Sequence, residues 1–203
     1  MYLYCILFAY FIVLWFPSTA YPLSRSKSVF PPPQSIAILP GSGISPSFYT
    51  EFTKELKLAI GQNIPVVFLK YSPFEDLPDN TLLIGHSFGG FIGLLYCIRE
   101  TLRHDKHISA CVLINSHFND GMKMPYPPIK QCLVPQRVLV LLNTNDDKLP
   151  IERALHDLSV AKRQNAQNIE FRINSGNHTS IFTEKNELSN AVDQIVCFLD
   201  KTT

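Results

Sequence analysis

The chain is 203 residues long, 46% apolar and 17% charged, with a net charge near +1: enough for one domain with a proper core, too little for two, and not the composition of a disordered chain. A near-neutral balance with no basic stripe among aromatics excludes an electrostatic case for nucleic acid. The five cysteines (Cys5, Cys97, Cys111, Cys132 and Cys197) include no CxxC pair, so they read as small buried hydrophobes rather than zinc ligands or a disulfide framework.

Met1 to Phe16 are continuously apolar, and the first charged residue is Arg25. Sixteen residues is short for a membrane span and suits the apolar region of a signal peptide, with Ser18-Thr19-Ala20 as small residues for cleavage. Residues 1–20 are therefore expected to be a signal peptide, or a signal anchor if uncleaved, and any membrane contact is confined to this segment. Residues 21–34 are rich in serine and base, and no acidic residue precedes Glu51. That composition fits a transit peptide or a flexible linker. The Ala20-Tyr21 junction resembles the cleavage site of bipartite presequences in algae with complex plastids. Entry into the secretory pathway is expected, with plastid and secreted or ER destinations both open.

The folded domain is expected over 35–203. Ser35 to Leu39 reads as a core strand, and Ser45-Pro46 as an N-cap with proline at the first helical position. Phe48, Phe52, Leu56 and Ala59-Ile60 recur at helical spacing until Gly61, and Ile64 to Leu69 is a second strand. Tyr71 to Asn80 is a link of ten residues with two prolines. A parallel crossover normally takes a dozen or more with a helix, so no more than a 3₁₀ turn is expected there. Thr81 to Ile84 is a short buried strand, followed by Gly85-His86-Ser87-Phe88-Gly89 and an apolar helix over Phe91 to Arg99. Ile108 to Asn115 and Arg137 to Leu142 are buried strands separated by an irregular segment, Ser116 to Pro135. Pro150 opens a helix with Ile151, Ala154, Leu155, Leu158 and Ala161 on one face. Asn168 to Ile173 alternates as a half-exposed edge strand does. A last helix from about Glu184 presents Leu188, Ala191, Val192, Ile195 and Leu199. Strands alternating with helices specify an α/β domain with a mainly parallel sheet of about six strands.

A Gly-x-Ser-x-Gly turn between strand and helix is too tight for a Cβ two positions either side of the serine, and it exposes the hydroxyl as a nucleophile elbow. Serine becomes an effective nucleophile only when an imidazole takes its proton and a carboxylate fixes the imidazole tautomer. Parallel sheets present function at the C-terminal ends of their strands. The loop after Arg137–Leu142 holds Asp146 and Asp147, and the loop after Asn168–Ile173 holds His178. Ser87, Asp146 and His178 thus follow one another in the chain, each on a post-strand loop.

In this order, serine then acid then histidine, the region from Ser35 onward resembles a compact member of the α/β-hydrolase superfamily. Asp146 followed by Pro150 at a helix start is similar to the family's acid motif, and Gly176 two before His178 matches its histidine loop. The resemblance implies Ser87 as nucleophile, Asp146 as acid and His178 as base. It also implies an oxyanion hole from the amides of Phe88 and Ser42, although Pro40-Gly41 stands where His-Gly is common. Asp147 is an alternative acid, with Asp146 then capping the helix, and Asp120 occupies an acid position used in some relatives. His86 lies inside the elbow and can shape the pocket, and His117 sits at its edge.

Ser116 to Pro135 is too short for a large lid and long enough for a flap, with Met122, Met124, Tyr126 and Ile129 suited to an acyl or aromatic substrate or to packing on the sheet edge. The expected activity is a serine hydrolase cleaving a small-molecule carboxylic ester or thioester through an acyl-enzyme, with no metal or organic cofactor. A non-catalytic binding module on the same fold is the rival from another class. An amidase or cofactor-free haloperoxidase would use the same triad.

Overall fold

A computed structural model describes residues 32–71, 76–103, 107–116, 137–163 and 168–200. Six parallel strands are built in it: β1 (Ser35–Leu39), β2 (Val66–Phe68), β3 (Thr81–His86), β4 (Ile108–Ile114), β5 (Arg137–Asn143) and β6 (Ile169–Asn174). They lie in the order β2-β1-β3-β4-β5-β6. The expected six-stranded parallel α/β sheet is therefore present. β1, β3 and β4 are buried along their whole length. That is why they read as near-continuous apolar runs rather than alternating ones. The edge strand β6 alternates more, with Ile173 exposed.

Strand side chains alternate between two faces. Ala37, Leu83, Cys111 and Val140 pack with α2 (Phe88–Arg103) and α3 (Ile151–Arg163). Ile38, Ile84, Val112 and Leu141 pack on the opposite face with α1 (Thr50–Ile60) and with α5 (Lys185–Asp200). Each fully buried leucine or isoleucine contributes about 1.5–3 kcal/mol relative to exposure, so this two-sided core is what holds the strand ends in place.

Several local expectations need adjustment. The second strand spans only Val66–Phe68, with Val67 exposed at the sheet edge. The first helix opens as a 3₁₀ turn over Pro46–Tyr49; Ser45 precedes it but bonds the Ser47 hydroxyl at 2.7 Å instead of capping the backbone. Gly61 does end α1, at φ 147° with its amide on the Lys57 carbonyl. A short helix that the spacing did not predict, α4 (Ser180–Thr183), precedes α5. Cys97 and Cys111 are buried, whereas Cys197 faces solvent on α5, contrary to the reading of all apolar-segment cysteines as core.

Of the link into β3, residues 72–75 lie outside the described set. The described part, Asp76 to Asn80, carries a turn with Leu77 buried, and Asn80 takes φ 54° just before the strand. The N-terminal segments, 1–20 and most of 21–34, also lie outside the described residues, as do Asp120, His117 and the apolar residues of the expected flap. Among the described residues no helix is long and apolar enough to cross a membrane.

Candidate active site

β3 delivers the serine. Ser87 sits at φ 53°, a left-handed conformation that a non-glycine residue adopts only where the surroundings impose it. The imposition is visible on both sides. A Cβ on Gly85 would lie 2.4 Å from the Gly90 Cα, and one on Gly89 would lie 2.1 Å from the Leu39 carbonyl oxygen. The elbow is therefore closed against its own helix and against the end of β1. The Ser87 amide is fixed on the Ile114 carbonyl at 2.9 Å.

β5 and β6 deliver the other two groups. The His178 Nδ1–H donates to Asp146 Oδ2 at 2.7 Å and to Oδ1 at 2.9 Å. Asp146 Oδ1 also accepts the amides of Lys148 and Leu149, both at 2.8 Å, so the carboxylate is held by its own loop. The Asp146 side chain is 1% exposed and that of His178 13%. With Nδ1 carrying the proton toward Asp146, Nε2 is the free base of the ring. The neighbouring Asp147 points away, 64% exposed and paired with Lys148 Nζ at 2.8 Å. That pairing holds the Asp147 carboxyl below its usual range. The structure thus brings Asp146, and not Asp147, to His178. No hydrogen bond joins Ser87 Oγ to His178 among the described residues.

Phe88 opens α2 directly after the elbow. Ser42 is exposed in the turn after β1. Tyr71 Oη–H donates to the Pro40 carbonyl at 2.9 Å, and the Gly41 amide donates to Tyr49 Oη at 2.8 Å. That turn is therefore braced from both sides. Tyr71 also packs edge-on against Phe88, with ring centroids 5.3 Å apart.

The polar residues that knit these loops together were not assigned a role from sequence. Asn115 Nδ2 donates to the His178 carbonyl at 2.9 Å while its Oδ1 accepts the Asn143 amide at 2.9 Å. Asn143 Nδ2 donates to the Asn177 carbonyl at 2.5 Å. Asn174 Oδ1 accepts from Asn190 and Gln194 on α5, at 3.0 and 2.7 Å. An asparagine closing or directly following each of β4, β5 and β6 was the available signal. His86 is buried, with Nδ1 on Tyr49 Oη at 2.9 Å and Nε2 on the His178 carbonyl at 3.1 Å. Burial first, and the nearby His178 second, push its pKa down to about 4. It is a neutral part of the frame at ordinary pH. Among the described residues no group of three or more His, Cys, Asp or Glu side chains converges as a metal site requires.

A parallel sheet with a strained serine after its third strand and an aspartate–histidine pair on later loops defines a hydrolase-type α/β fold. The family model for the alpha/beta hydrolase fold matches residues 76–180, just over half of the chain, and the chain belongs to that family. Solved structures agree on the fold. The chain resembles a predicted CIB-like hydrolase from Thermoplasma acidophilum at 13% identity, covering 86% of this chain and 89% of that one with a TM-score of 0.59. It resembles the esterase Pf2001 of Pyrococcus furiosus at 12% identity, with 83% of each chain covered and a TM-score of 0.58. An alpha/beta hydrolase from a Medee basin deep-sea metagenome is 18% identical, with 89% of each chain covered and a TM-score of 0.58. No curated protein sequence matches the chain.

Proposed function

We propose that this chain is a serine hydrolase that cleaves a small-molecule carboxylic ester or thioester through an acyl-enzyme. The observation that carries the reading is the buried Asp146 carboxylate holding His178 by Nδ1, on the same sheet edge as the strained Ser87. In this reading His178 Nε2 takes the Ser87 proton as Oγ attacks the substrate carbonyl. The amides of Phe88 and Ser42 hold the oxyanion, and His178 returns the proton to the departing alkoxide or thiolate. Water then repeats the sequence on the acyl-enzyme. Asp146 keeps the imidazole in the tautomer with Nε2 free and stabilises the imidazolium that forms.

The test is hydrolysis of a series of p-nitrophenyl esters and an acyl thioester by purified protein. Wild type should turn over at least one of them, and Ser87→Ala should lose about 10⁴-fold or more in kcat. Undiminished hydrolysis by the Ser87→Ala protein sinks the proposal. The rival from another class is a binding module on the same fold. That reading requires a ligand that binds wild type and Ser87→Ala equally and is released unchanged.

A further inference from the structure

The bonds around His86 have a direction that can be worked out atom by atom. The Gly41 backbone N–H can only donate, so Tyr49 Oη accepts it, at 2.8 Å. The single phenolic proton then goes to His86 Nδ1, 2.9 Å away, which must be the acceptor. The remaining ring proton is therefore on Nε2, and it donates to the His178 carbonyl at 3.1 Å. Each donor in this chain meets one acceptor, and only the neutral Nε2–H tautomer of His86 satisfies all of them.

The surroundings enforce that state. Tyr49 and His86 are both buried. The His86 ring lies 4.7 Å from Phe182 and 5.0 Å from His178, centroid to centroid, and Tyr49 packs 4.9 Å from Phe182. Burial raises the Tyr49 phenol above its ordinary range, so the hydroxyl stays a donor. A Cβ on Gly41 would lie 3.0 Å from His86 Nδ1, so the turn after β1 sits directly on the imidazole.

The topology gives this bridge a purpose. The turn holding Ser42 leaves β1, and the loop holding His178 leaves β6, with β3, β4 and β5 between them in the sheet. His86 is the residue next to Ser87 and reaches both. We propose that Tyr49 and His86 are positioning residues: through Gly41 on one side and the His178 carbonyl on the other, they hold the oxyanion turn and the general base in register with Ser87. This rests on the serine hydrolase reading of the same site. Neither side chain touches substrate. Their effect falls on kcat, since a displacement of about 1 Å in a reacting group can cost 100-fold in rate.

The experiment joins kinetics to a readout that does not need turnover. Tyr49→Phe keeps the ring and removes only the hydroxyl. His86→Gln keeps a donor for the His178 carbonyl, and His86→Asn loses it. Tyr49→Phe and His86→Asn are expected to lower kcat about tenfold or more with KM within about threefold, while His86→Gln retains more of the rate than His86→Asn. A purely structural role predicts a lower melting temperature with kcat per folded molecule unchanged, and that result overturns the proposal. In parallel, ¹⁵N NMR of the wild-type protein should show His86 as the Nε2–H tautomer, and Tyr49→Phe should shift the Gly41 amide and the His178 ring together. An Nδ1–H tautomer, or a His178 ring indifferent to Tyr49→Phe, overturns the bridge whether or not the protein hydrolyses esters. Coupled shifts in a protein with no Ser87-dependent turnover leave the bridge standing and overturn the hydrolase reading.

Discussion

The two ends of the sheet bury polar groups for different reasons. At the N-terminal end of the strands, the Ser35 hydroxyl donates to Thr81 Oγ1 at 2.6 Å, and Thr81 passes its own proton to the Pro78 carbonyl at 2.6 Å. Ser109 Oγ bonds the Thr81 carbonyl at 3.2 Å, and the buried Glu100 accepts the His107 amide at 3.1 Å. These bonds tie neighbouring strands and the turns into them to one another. At the C-terminal end, Asn115, Asn143 and His86 bond instead to the backbone of the loop that carries His178. One end is stitched to itself, and the other is stitched to the loop that carries His178. Substitutions at the first end should therefore cost stability, and those at the second should cost rate.

The largest expected effect tests the second half of that contrast. His178→Ala and Asp146→Ala should each lower kcat/KM by about 10³–10⁴-fold or more, and the double variant should be little worse than the poorer single one, because the groups act as a unit. Asp147→Ala, which removes only an exposed pair with Lys148, should stay within about twofold. Steady-state kinetics on one ester checks all four proteins. A large loss in Asp147→Ala beside a mild one in Asp146→Ala would exchange the roles of the two aspartates.

A smaller effect comes from the buried imidazole of the frame. His86 has its pKa lowered from 6.5 to about 4 in the folded protein, so the unfolded chain takes up a proton first as pH falls. The contribution is present in full above about pH 6.5 and is lost progressively between about 6.5 and 4, reaching roughly 3 kcal/mol. Urea unfolding at pH 7, 6 and 5 should show that decline, and His86→Gln should flatten it. A decline of the same size in His86→Gln assigns the titration to another group.

The smallest effect belongs to the opposite end. Thr81→Val leaves the Ser35 hydroxyl and the Pro78 carbonyl without their partner and should cost about 1–3 kcal/mol, with kcat per folded molecule unchanged. Thermal melts beside active-site titration separate the two quantities. A loss of kcat at unchanged stability would erase the contrast between the ends.

Much of this arrangement was legible in the sequence because it rests on local patterns. The runs at Ile108–Ile114 and Arg137–Leu142 can only be buried strands, and the glycines around Ser87 mark a turn that admits no Cβ. Asp146 and His178 could be located because a parallel sheet places its loops on one edge. The short β2 was overextended at Ile64 because Pro65 and the apolar residues around it resemble a strand, while only Val66–Phe68 pair in register with β1 and Pro65 and Leu69 add one flanking backbone bond each. The helix Ser180–Thr183 was invisible because four residues carry no periodicity. Tyr49 has no assigned place in the sequence reading, and His86 reads as a shaper of the pocket. Their joint role depends on a contact between residues 37 positions apart, which no local pattern encodes. The choice between Asp146 and Asp147 was likewise a matter of side-chain direction and not of spacing.

The most direct measurement of the central claim is labelling of the folded protein with a fluorophosphonate probe, followed by peptide mapping of the adduct. A single adduct on Ser87, absent in Ser87→Ala and formed far more slowly in His178→Ala, is the predicted result. A folded wild-type protein that takes no label, or one whose label persists in Ser87→Ala, contradicts it.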